Sequence, residues 1–189
     1  MADEKEMKPV VSKPENNEQE LEKVNKQELE KVNKQELEKV DEGPKRFIEH
    51  GPWVILDTET GLYWLKKDSW QEKGKFFNWH EGKEYTERKN VRNIGGFSDW
   101  RLPTIEEAAT LYDESLTNVA KGGVTIHIDP VFPEGSFKVE WSVSNTSTRR
   151  PRFNYADGKV IHVDEYTFGS ARGVRKEPVK KDLSKLRRR

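Results

Sequence analysis

The sequence predicts an α+β domain held between two charged tails. Three observations lead there. Strand-like segments come first, two capped helices follow and strand-like segments return, whereas an α/β chain would alternate the two. All nineteen aromatic residues lie between Phe47 and Phe168, so the apolar surface needed for a core is concentrated in that stretch. The flanks carry no aromatic side chain and few branched apolar ones, so burial cannot offset their ordering entropy. The expected organisation is a charged segment over residues 1–43, a domain over 44–176 and a basic tail over 177–189.

Within the first segment, residues 17–40 are three octads, NEQELEKV, NKQELEKV and NKQELEKV. Their composition favours helix, and Glu22–Lys26 and Glu30–Lys34 set opposite charges one turn apart, each pair adding about 0.2–0.5 kcal/mol. A coiled coil through Leu21, Val24, Leu29, Val32, Leu37 and Val40 is disfavoured, because the apolar pair rotates by about 80° per octad. A charged, semi-rigid helical stalk is the preferred reading, with an oligomerisation helix as the alternative. Glu42-Gly43-Pro44 ends it.

Residues 46–67 read as three strands separated by turns at Gly51-Pro52 and Thr60-Gly61. Asn78 with Glu81, and Thr104 with Glu107, have capping-box spacing, in which cap side chain and third helical residue each satisfy the other's backbone N–H. Trp79, Gly82, Tyr85 and Lys89 share one face of the first helix, with Gly82 permitting close backbone approach. Ile105, Ala108, Leu111 and Tyr112 form the buried stripe of the second. Pro103 biases Leu102 to an extended conformation. Residues 137–144, 152–163 and 168–176 return to strand, the middle segment folding as a hairpin on Asp157-Gly158.

Composition also excludes function classes. With no cysteine there is no disulfide, thiolate nucleophile or cysteine-bound zinc. His50, His80, His127 and His162 lack ligand spacing, and phosphate-loop, dinucleotide and serine-hydrolase fingerprints are missing. Asp129, Glu134, Asn145, Asp164 and Glu165 offer loop oxygens that suit calcium, but in no linear motif, so no cofactor is expected. Residues 1–42 carry eight Lys against thirteen Asp and Glu, and residues 176–189 carry seven Lys and Arg against two. The domain between them is neutral, so weak contact with nucleic acid or an anionic membrane would fall to the basic tail. MADEKEMKPVVSK lacks the apolar stretch of a secretory signal, and the expected location is the cytoplasm.

Five ordered blocks, TETGLYW, GGFSDWRLPTIEEAATLYD, EWSVS, FNYADGKV and ARGVR, spread over residues 46–176, resemble the Lcl C-terminal domain family. That family occurs at the end of bacterial collagen-like adhesins and was long catalogued as a domain of unknown function. The resemblance implies a C-type-lectin-like fold, related in architecture to formylglycine-generating enzymes, whose cysteine chemistry this chain cannot perform. Relatives often carry a cysteine where Gly173 stands, and many are exported; both departures agree with a reducing compartment.

Within those blocks, Trp64, Trp100, Trp141 and Pro103 read as structural, Trp100 as a core plug. Gly95 and Gly96 make a tight turn, Arg101 makes buried bonds to carboxylates or carbonyls, and Asp99 caps the turn or pairs with Arg101. In this architecture the ligand face is built from late loops, which places Ser144, Asn145, Thr146, Arg149, Arg150 and Arg152 there. Guanidinium forks match carboxylate, sulfate and phosphate, so an anionic glycan or an acidic protein partner is the expected ligand. The expected function is non-catalytic binding. The alternative is an assembly protein that forms homo-oligomers through the domain while its tails carry the interactions.

Overall fold

The computed structural model describes residues 45–143 and 149–177; the octad stalk, Ser144, Asn145, Thr146 and the tail from residue 178 lie outside the described residues. The first three strands, β1 (Phe47–Glu49), β2 (Val54–Asp57) and β3 (Leu62–Leu65), form an antiparallel meander, as their turn signals require. Gly61 has φ of 69°, the left-handed conformation that glycine adopts without steric cost. Helices α1 (Ser69–Lys73), α2 (Trp79–Val91) and α3 (Ile105–Ala109) follow. Two-residue strands β4 (Asn118–Val119) and β5 (Thr125–Ile126) pair with each other. Strands β6 (Val139–Trp141), β7 (Arg150–Asn154) and β8 (Lys159–Val163) make a second antiparallel sheet. The last strand, β9 (Val174–Lys176), returns to pair with β3, giving the first sheet the order β1-β2-β3-β9. The fold is therefore α+β.

The first sheet is covered on both faces. Ile55 and Trp64 join a core with Phe132, Phe153, Tyr155 and Ala108, while Val54 and Leu65, one residue along, join a second core with Phe77, Trp100 and Trp141. Alternation along a strand sends neighbours to opposite faces, so a sheet with two apolar faces reads as the continuous runs VIL and LYWL. Trp64 and Trp141 are fully buried and Trp100 nearly so, and Pro103 is buried beside them, as expected of structural residues.

All three helices begin with a complete capping box: Asp68 with Gln71, Asn78 with Glu81, and Thr104 with Glu107. The two longer-range expectations for α2 also hold. Tyr85 and Lys89 are buried, and a Cβ on Gly82 would stand 3.3 Å from the Cβ of Ala171 and 3.4 Å from Trp141. The second helix is shorter than expected: α3 ends at Ala109, so of the stripe only Ile105 and Ala108 are helical, while Leu111, buried, and Tyr112, at the core edge, follow in the turn beyond it. Gly95 and Gly96 adopt φ of 67° and 83° and turn the chain, and a Cβ on Gly95 would come within 2.6 Å of Val54.

Charged side chains connect the layers. Asp68, fully buried, accepts from the backbone N–H of Gln71 (2.8 Å) and Phe137 (2.7 Å) and from the Ser170 hydroxyl (2.7 Å). Arg172, also buried, pairs with Glu140 at 3.0 Å and donates to the carbonyls of Leu65 (2.9 Å) and Lys66 (2.8 Å). One guanidinium thus ties the second sheet to the end of β3.

Two expectations in the DWR segment are corrected. Arg101 is 45% exposed and makes a bidentate pair with Glu107, the capping residue of α3, at 2.6 and 2.7 Å. Asp99 pairs not with Arg101 but with Arg175 of β9, at 2.7 Å, and the Arg175 guanidinium lies 3.9 Å above the Phe97 ring. The Arg101 backbone bridges to that of Val174, which is buried, while its own side chain stays at the surface with Glu107. Arg101→Ala is therefore expected to cost no more than about 1 kcal/mol in thermal or denaturant melts, as exposed pairs do. A larger loss would show that the Glu107 pair also holds α3 in place.

The family resemblance raises a further point at Gly173. A Cβ there would lie 2.7 Å from Leu65 Cδ1 and 3.5 Å from Trp100, so a cysteine at this position would require Leu65 to repack. Gly173→Ala is expected to cost about 1–3 kcal/mol in a denaturant melt, the usual penalty for overpacking.

Candidate binding face

Arg150 and Arg152 are not on a loop, as the sequence suggested. They lie in β7, where Pro151 and Phe153 turn inward and the two arginines share the opposite face. The sheet thereby sets their spacing and each rests on an indole. The Arg150 guanidinium lies 4.1 Å above the ring of Trp79, and that of Arg152 5.1 Å from the ring of Trp141. Burial against Trp141 lowers the pKa of Arg152, whose Nη1 donates to the Phe168 carbonyl at 2.9 Å.

The N-terminus of α2 supplies the next part of this face. Trp79 is its first helical residue; its indole N–H donates to the Ser142 carbonyl at 3.1 Å, and its backbone N–H to the Glu165 carbonyl at 2.9 Å. Glu165 accepts from Arg150 at 3.1 and 3.2 Å, and its other oxygen lies 3.3 Å from His80 Nε2. His80 and Arg150 together hold the Glu165 carboxyl below the usual carboxylate range. Beyond Glu165, Tyr166 and Phe168 are 67% and 65% exposed, and the Tyr166 ring stands 6.0 Å from that of His80.

The result is a continuous face with stacked guanidinium groups at one side and two bare aromatic rings at the other. Its donors suit anionic oxygens, and its rings suit the apolar face of a flat ligand. Arg149 leads into β7 from the segment that contains Ser144, Asn145 and Thr146, three ligand-binding candidates that lie outside the described residues. Trp79, His80, Glu165, Tyr166 and Phe168 were not anticipated as part of this face. Two aromatic residues in the charged stretch DEYTF were the available signal.

Among the described residues the calcium candidates do not gather. Asp129 caps the turn at Val131 (2.8 Å), Asp164 that at Tyr166 (2.8 Å), Glu134 offers its backbone carbonyl to the Gln71 amide (2.9 Å), Glu165 is engaged by Arg150 and His80, and Asn145 lies outside the described residues. Among the described residues no three acidic or histidine side chains stand where they could share a metal ion. His162 points outward from β8, opposite Ile161 and Val163. No helix among the described residues is long and apolar enough to cross a membrane.

Neither a curated protein nor a solved structure is significantly similar to the chain. Residues 53–175, from the exposed Trp53 to the Arg175 that pairs with Asp99, match the Lcl C-terminal domain, and the chain belongs to that family.

Proposed function

We propose that this is a non-catalytic binding module of C-type-lectin-like architecture, which recognises an anionic glycan or an acidic peptide through the face built on β7, the start of α2 and the segment after β8. The carrying observation is the juxtaposition of Arg150 and Arg152, each braced on an indole, with the exposed rings of Tyr166 and Phe168. Stacking holds a guanidinium fork in one orientation, so less entropy is lost when it binds an oxyanion. In this reading the octad segment is a helical spacer, the tail beyond residue 177 adds weak electrostatic contacts, and the protein works in the cytoplasm.

The test is an array of glycans and acidic peptides probed with the full chain and with Tyr166→Ala/Phe168→Ala. Both rings are exposed, so that variant should keep its stability within about 0.5 kcal/mol while losing the selected ligand. Simultaneous replacement of Arg149, Arg150 and Arg152 by Ala should also abolish binding, and binding by the unaltered chain should weaken as salt rises toward 1 M, where the screening length is ~3 Å. Because Arg152 is packed on Trp141, the triple variant should also melt lower, which the aromatic variant should not. Retention of binding by the aromatic variant would refute this face. Self-assembly through the same two rings is the second reading. It predicts an oligomer that dissociates in Tyr166→Ala/Phe168→Ala and persists when residues 1–42 are removed.

A further inference from the structure

The opposite end of α2 carries a different arrangement. Lys67, just before the Asp68 cap of α1, Lys73, at the end of α1, and Arg92, at the C-cap of α2, are all exposed, and among the described residues none has a carboxylate partner. They surround Lys89, which is buried and held by both oxygens of Glu72. Burial lowers the pKa of Lys89 against the pull of Glu72, and the charges of Lys73 and Arg92 lower it further. With Lys89 matched to Glu72, the exposed charges of Lys67, Lys73 and Arg92 remain without a carboxylate of their own among the described residues. Cations at a helix C-terminus complement the helix dipole, which accounts for Lys73 and Arg92. It does not account for Lys67, which sits at the N-terminal side of α1, where the dipole disfavours a cation.

Lys67 and Arg92 line a pocket of about 300 Å³ together with Lys66, the Lys89–Glu72 pair and the apolar side chains of Trp53, Leu65 and Ile94. Trp53 is 55% exposed, although its backbone is fixed by the bond from Lys66 N–H to its carbonyl at 2.9 Å. A held loop that keeps an indole half in water presents a flat apolar wall beside a cationic rim. The volume is at the small end of the range for ligand pockets, too small for a polymer segment of any length.

We propose that this pocket binds a small phosphate monoester that carries a planar ring, with the ring against Trp53 and the phosphate between Lys67 and Arg92. A dianion matches cations contributed from two separate elements better than a single carboxylate does, since each can take a different phosphate oxygen. The site stands apart from the β7 face: Trp79 and Arg92 are at opposite ends of α2, about 20 Å apart at the usual helical rise.

The experiment is heteronuclear NMR on the full chain, titrated with adenosine monophosphate, adenosine and inorganic phosphate as probes. The monophosphate should shift the Trp53 indole N–H and the amides of Lys67 and Arg92. Adenosine alone should bind at least tenfold more weakly, and inorganic phosphate should compete with the monophosphate. Lys67→Ala/Arg92→Ala, which removes exposed charges only, should weaken the monophosphate at least tenfold with an otherwise unchanged spectrum, and Trp53→Ala should erase the preference for the ring-bearing probe. The proposal is overturned by no shift at millimolar monophosphate, by shifts that survive Lys67→Ala/Arg92→Ala, or by shifts centred on Arg150 and Tyr166. The last outcome would leave the β7 face intact as a binding surface while removing this one.

Discussion

Replacing Glu140 by alanine is expected to remove about 3–5 kcal/mol of folding stability at neutral pH, the cost of breaking a buried ion pair from one side. Glu140 and Arg172 are each 1% exposed, and their 3.0 Å contact sits between the two cores. The loss is severe because an arginine cannot shed its charge, so Arg172 would remain ionised in an apolar interior with only the Leu65 and Lys66 carbonyls and the more distant Asp68 to offset it. The measurement is a denaturant melt in which the midpoint falls and the slope is unchanged. A loss below about 1 kcal/mol would show that water reaches the pair.

The same pair makes stability depend on pH with a definite sign. Burial, reinforced by the Asp68 carboxylate, pushes Glu140 up from 4.5 to about 7 despite the attraction of Arg172. The native state therefore holds this proton more tightly than the unfolded chain. Its contribution is complete below about 4.5 and is lost as pH rises to about 7. Asp57, bound by Arg46 at 2.8 Å, and Glu107, bound by Arg101, are held below their ordinary values, so their contributions disappear at more acid pH. The Glu140 contribution should therefore appear as a decline in stability as pH rises from about 4.5 to about 7, and Glu140→Gln should flatten that decline. A decline of equal slope in Glu140→Gln would assign it to another group.

Trp141→Ala carries the second large effect, again about 3–5 kcal/mol, the usual result of deleting a buried tryptophan. Trp141 is fully buried, its indole N–H donates to the Phe77 carbonyl at 2.8 Å, and the chain closes on the ring at two glycines. A Cβ on Gly169 would lie 3.0 Å from the indole nitrogen, and one on Gly82 3.4 Å from the ring. The size of the loss depends on how far these surroundings relax into the space the indole leaves. Trp141→Phe, which keeps much of the volume and loses the hydrogen bond, should cost about 1–2 kcal/mol. The alanine variant should also lose ligand binding in its folded fraction, because the ring that supports Arg152 is gone. A variant that melts normally would mean that the second core does not depend on this side chain.

How far these features were legible follows from the distance over which each is decided. The caps at Asn78 and Thr104 were readable because a capping box closes within four residues. The same pattern at Asp68 and Gln71 also closes within four residues, and it begins a helix as short as the one that Thr104 caps. Strands β4 and β5 had no comparable signal: two residues each become strand only through their mutual pairing. At the binding face, the basic side chains were identified from sequence, but their strand register, and the rings of Trp79, Tyr166 and Phe168 beside them, were not.

The sequence by itself determined the α+β order and the family, because apolar patterning, caps and spaced blocks are properties of the chain read in line. Which arginine is buried was decided only in three dimensions. β9 pairs with β3 about 110 residues away, which turns Arg172 toward Glu140 and brings Arg175 to Asp99, while Arg101 stays on the surface with Glu107. Desolvation is a property of everything packed around a charge, and most of what packs around these three comes from elsewhere in the chain.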